Sequence, residues 1–184
     1  MTLRRTMVSM ILLLAPALAS GEPRSPNCGP AGLPTDVARS LIADFPGWRI
    51  KPLEELDLYE QTLWLKSKGR ACPGIAAGHF VDSKATDFAV LLVPGIPDRR
   101  GYKVVVFAKP NGTPAVTPTV IEDDKDENSA RLVIYRVPPG RYEEPENIRR
   151  VRIRRDGIVV EAMEAGASLY FWRGGRFERL IISE

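Results

Sequence analysis

GHFVDSKATDFAVLLV (Gly78–Val93) is a short polar loop that runs into a strong strand. Its second half, DFAVLLV (87–93), is apolar at consecutive positions. A strand with one face in water alternates apolar and polar residues. A strand apolar on both faces needs cover on each, as in the middle of a layered fold. This segment therefore predicts a central strand.

The residues after it repeat the β signal. YKVVVFA (102–108) follows a turn rich in Pro, Gly and Arg and is expected to pair with 87–93. Asn111-Gly112 marks a turn, and RLVIYRV (131–137) is a third strand. IRRVRIRR (148–155) alternates, with Val151 and Ile153 on one face and Arg150, Arg152 and Arg154 on the other. Asp156-Gly157 turns the chain into IVVEAME (158–164). SLYFWR (168–173) and RFERLII (176–182) flank Gly174-Gly175, which supplies the positive φ angles of a two-residue hairpin. EDDKDEN (122–128) and PPGRYEEPE (138–146) read as solvated loops.

Upstream, the period changes from two to 3.6. Val37, Leu41, Ile42 and Phe45 fall at helical spacing, and Pro46-Gly47 stops that run. Pro52 opens a second helix through Leu53, Leu56, Tyr59 or Glu60, and Leu63, with a strand at Thr62–Leu65 as the alternative. Its acids lie in the first turn, Lys66 and Lys68 in the last, and Gly69 ends it. The fold class is α+β: two N-terminal helices packed on an antiparallel sheet of about five to seven strands.

The first 19 residues are set apart from that fold. Arg4 and Arg5, an apolar run from Met7 to Leu14 and the small-x-small Ala17-Leu18-Ala19 form a signal peptide (1–19). It precedes an irregular Pro- and Gly-rich arm (20–33) and a single domain (34–184). Removing Arg4 and Arg5 takes the 26 basic residues to 24, against 23 acids, a net charge of +1. Such a balance gives no drive toward nucleic acid. No segment of the mature chain is long and apolar enough to span a bilayer. The expected location is periplasmic or secreted. Two cysteines in an oxidising compartment predict a Cys28–Cys72 disulfide; two free thiols and an intermolecular bridge are the alternatives.

Gly78, Phe80, Asp87, Phe88, Ala89 and Val90 resemble the framework of an FG-GAP or VCBS-type blade segment. In that family, acids in the loop bind calcium. The matching positions here are His79, Val81, Ser83 and Asp87, with Asp82 where the family often has Gly. Calcium takes six to eight oxygen ligands, and the valine side chain has none to give. The resemblance therefore implies the loop shape, closed by Asp87 or Asp82 capping backbone N–H groups, without the metal. The ending DGIVVEAMEAGASLYFWRGGRFERLIISE (156–184) resembles a family of small exported bacterial proteins of unknown function that carry one such segment.

No catalytic, cofactor or metal site is expected. His79 is the sole histidine, and no nucleophile elbow or C-x-x-C pair is present. Carboxylates of a glycosidase type are open to any acidic chain, with Glu161, Glu164 and the 122–127 run as the candidates. The candidates for partner binding are Arg150, Arg152 and Arg154 on one strand face, and Tyr170 with Trp172 if that pair is exposed. The arginines can equally pair with Glu143, Glu144 and Glu146. These features predict a non-enzymatic interaction or envelope-associated module with a protein or polysaccharide partner. A small hydrolase of envelope polymers and a secreted enzyme inhibitor, presenting the loop at 94–101 or 138–146, are the alternatives.

Overall fold

The computed structural model describes residues 27–81, 85–96, 99–109, 115–145 and 148–183. The expected signal peptide, the first half of the arm (20–26) and the Asn111-Gly112 turn lie outside the described residues.

Among the described residues there are two α-helices and eleven strands in three sheets, an α+β fold. The expectation of one sheet of five to seven strands is corrected. The first sheet runs β1 (Trp48–Ile50), β3 (Asp87–Pro94), β4 (Tyr102–Ala108), β5 (Thr117–Asp124), with β2 (Ile75–Gly78) also on β3. The second is β11 (Arg176–Ser183), β10 (Gly166–Arg173), β9 (Gly157–Ala162), β6 (Leu132–Val137). The third is the pair β7 (Gly140–Glu143) and β8 (Arg150–Ile153). All pairings are antiparallel. The unexpected strands are β1, β2, β5 and β7. They are short, or edge strands with polar faces, and carry little periodicity.

The apolar two-faced strands explain the layering. Ala89, Leu91, Val104 and Val106 of the first sheet pack on Ile134, Ile158, Val160 and Tyr170 of the second. On the far side of the first sheet, Val90, Leu92, Val105 and Phe107 lie under Val37 and Leu41 of α1 (Thr35–Asp44). On the far side of the second, Val159, Leu169, Phe171 and Leu180 lie under Val151 and Ile153 of β8. The order is helix, sheet, sheet, hairpin. Each layer removes apolar area from water at about 25 cal/mol per Å2.

The predicted second helix divides in two. Leu53–Glu55 form one 3-10 turn, and α2 (Leu58–Lys68) starts afresh at Asp57. The Asp57 side chain accepts from the Glu60 N–H at 2.8 Å, and Glu60 Oε2 accepts from the Asp57 N–H at 3.2 Å. This reciprocal cap starts a helix more strongly than the preceding Pro. Trp64 buries against Leu53, Leu56, Val133 and Met163, and its indole N–H donates to Ala71 O at 2.7 Å.

Cys28 and Cys72 form a disulfide that spans 44 positions and joins the arm to the entry of β2. The two main sheets meet where the Ile134 N–H donates to Pro73 O at 2.8 Å, beside β2 and β6. On the opposite side, β5 faces β10 and β11 across an open seam.

Candidate functional site

The site begins at β8. Its partner β7 aligns Glu143 with Arg150 and Arg141 with Arg152. Val151 and Ile153 are each 5% exposed because they cover the second sheet. Strand alternation then forces Arg150 and Arg152 outward. Arg154 and Arg155 follow at the bend after β8.

Residues 152–155 border one cavity with the end of β10. Arg152, Arg154, Arg155 and Arg173 line a cavity of about 470 Å3 together with Phe171 and Trp172. Arg150 pairs with Glu143 at 3.0 Å, one of the expected pairings, and Arg173 lies 3.7 Å from Glu178. Among the described residues, Arg152, Arg154 and Arg155 enter no salt bridge, and Arg155 Nη1 is buried without a hydrogen-bond partner. Arg173 also lies over the Phe171 ring at 5.1 Å. Like charges gathered in one hollow repel each other, and an anionic ligand relieves that repulsion. Arg152 also lines a neighbouring hollow of about 510 Å3 with Arg141, Tyr142 and Arg150.

Trp172 joins this basic cavity to the seam. It is half-buried and meets Phe177 edge-on, with ring centroids 5.1 Å apart. Trp172 lines both the arginine cavity and a seam cavity of about 620 Å3. Tyr170 does not stand beside it on the surface. It is 4% exposed and belongs to the core between the sheets. The candidate Tyr170–Trp172 surface pair is thus reduced to Trp172.

The seam holds a residue that the sequence assigned to a solvated loop. Glu122 lies on β5, where the register with β4 shifts: Val104 faces Glu122 but Val105 faces Val120. The extra residue, Ile121, is a β-bulge, and it leaves both Ile121 and Glu122 lining the seam. Tyr102 O–H donates to Glu122 Oε1 at 2.8 Å. Glu122 Oε2 is buried, with no hydrogen-bond partner among the described residues. Burial, reinforced by Glu122, pushes the hydroxyls of Tyr102 and Tyr170 well above the ordinary tyrosine range. Opposite, Arg179 Nε donates to Ser168 Oγ at 3.0 Å. Glu122 and Arg179 also line a second seam cavity of about 410 Å3, with Ser168 and Asp124.

The other candidates have structural roles. Asp87 Oδ2 accepts from the Val81 N–H at 2.7 Å, which is the capping role expected of it. The His79 N–H donates to Asp156 Oδ2 at 2.9 Å, and His79 Nδ1 lies 2.7 Å from Ala85 O. Asp82 and Ser83 lie outside the described residues. Glu164 pairs with Arg131 at 3.1 Å, and Glu161 acts on Tyr135. The 138–146 segment is not a free loop, since Gly140–Glu143 is the strand that holds β8.

Comparisons with models of known protein families, with curated proteins and with solved structures find no match.

Proposed function

We propose that the chain is an exported, non-enzymatic binding module that holds the acidic groups of an envelope-associated partner. The observation that carries this reading is the cavity that Arg152, Arg154, Arg155 and Arg173 line together with Trp172. A net charge near zero makes the concentration of guanidinium on one face a local property of the site. Arginine suits the role because its planar fork meets a carboxylate or phosphate with two parallel hydrogen bonds. Export is supported by the signal-peptide pattern and by the disulfide. Among the described residues no helix is long and apolar enough to cross a membrane. The FG-GAP-like framework fits this reading as a structural loop.

The test is binding of the disulfide-bonded protein to a carboxylated polymer over a salt series. Arg152→Ala with Arg154→Ala is expected to weaken binding at least about tenfold, equivalent to about 1.4 kcal/mol. The affinity should fall as salt rises, because exposed charges are screened beyond roughly 8 Å at physiological ionic strength. Salt-independent binding that ignores both substitutions would count against the module. Shortening of the polymer during the experiment would favour the hydrolase alternative.

A further inference from the structure

We infer that the ligand is an acidic polysaccharide, held by its carboxylates in the arginine cavity and by its hydroxyl groups in the seam. This rests on the proposed binding function and names its ligand class. Neighbouring cavities share lining residues. Arg152 is shared by the two basic hollows, Trp172 by the basic cavity and the seam, and Glu122 with Arg179 by the two seam cavities.

The chemistry changes from one cavity to the next. At the arginine end the surface offers donors and positive charge. At Trp172 it offers an aromatic face, next to Phe177. At Glu122 it offers a buried acceptor: Oε1 has the Tyr102 hydroxyl, and Oε2 makes no hydrogen bond of normal geometry, although the Tyr170 hydroxyl lies beside the carboxylate. An ionised carboxylate accepts and cannot donate. The group that completes it must carry an O–H or N–H and no negative charge.

Three classes of polyanion can be compared with those demands. A polyphosphate supplies charge but neither donor nor apolar face. A glutamate-rich peptide supplies carboxylates and backbone N–H donors, but no ring face for Trp172. A chain of sugars bearing carboxylates supplies all three: anionic groups for the guanidiniums, a ring face for Trp172, and neutral hydroxyls for Glu122 Oε2.

Calorimetric titration of the disulfide-bonded protein compares a short oligouronate, its carboxyl-reduced neutral form, and polyglutamate of matched charge. The oligouronate is expected to bind at least tenfold tighter than either, a difference of about 1.4 kcal/mol. Trp172→Ala should weaken the oligouronate about tenfold and leave polyglutamate unchanged, whereas the paired Arg152 and Arg154 substitutions should weaken both. Equal binding of polyglutamate and oligouronate would overturn this inference and leave the binding module standing. Failure of both polymers to bind would overturn the module itself. The unsubstituted protein decides between these outcomes even where a variant does not fold.

Discussion

Phe80 shows what the opening loop contributes. Its ring is fully buried between the two main sheets, and Asp87 holds the next residue's N–H. Phe80→Ala removes a large buried ring that its neighbours cannot collapse to replace. The expected loss is about 3–5 kcal/mol, read from the urea midpoint at constant slope. A loss below about 1 kcal/mol would mean that the loop is not part of the core. This role was legible in the sequence as a Gly-x-aromatic framework ahead of a strand. Glu122 was not. Simple alternation gives it the same face as Val120 and opposite to Ile121, and the surrounding acids suggest a solvated run. A bulge is one extra residue in one strand, and no composition marks it. That Arg154 and Arg155 line one cavity with Trp172 also depends on contacts between distant segments.

At the scale of elements, the sequence was most informative where a strand is covered on both faces. β3, β4 and β6 lie within a residue of their expected ends. The Gly174-Gly175 hairpin is also as expected, with φ of 59° and 84° at the two turn positions. β1, β2, β5 and β7 escaped because their side chains are largely exposed or their runs are brief. Of these, β7 matters most for the site, since it presents β8 and its arginines. The Cys28–Cys72 bridge ties the N-terminal arm to the sheet that α1 covers. Closing a loop of this length removes about 3–4 kcal/mol of unfolded-state freedom in the chain-entropy picture. Cys28→Ser with Cys72→Ser should lower stability by about that amount. The measurement is chemical unfolding of the two oxidised and substituted forms side by side, and identical midpoints would remove the bridge from the account of stability. The sheet layers should survive in the substituted form, because most of their core lies away from the bridge.

For the molecule as a whole, burial of tyrosine sets an alkaline limit. Tyr102, Tyr135 and Tyr170 come from both main sheets, and burial is the largest cause of the upward shift in each. In the unfolded chain they ionise near pH 10. In the folded chain they stay protonated well above that, so the native state then holds more protons than the unfolded state. Stability is therefore complete below about pH 10 and is lost as the pH rises toward the folded values. Each such tyrosine contributes a slope of about 1.4 kcal/mol per pH unit, or about 4 kcal/mol for the three. Lys51 acts in the opposite sense. Burial holds its pKa below the ordinary lysine value, although its Nζ donates to Ala130 O at 2.9 Å and lies 3.3 Å from Glu55. Between that lowered value and about 10.4 the unfolded chain holds the extra proton, and stability gains with pH. The two effects predict a shallow rise in stability that turns into a steep fall from about pH 10. Urea midpoints across that range test the turn. Tyr135→Phe should remove about one third of the fall, because it deletes one of three similar terms while keeping the ring against Trp64. A fall unchanged by that substitution would assign the alkaline limit to groups outside the sheet core.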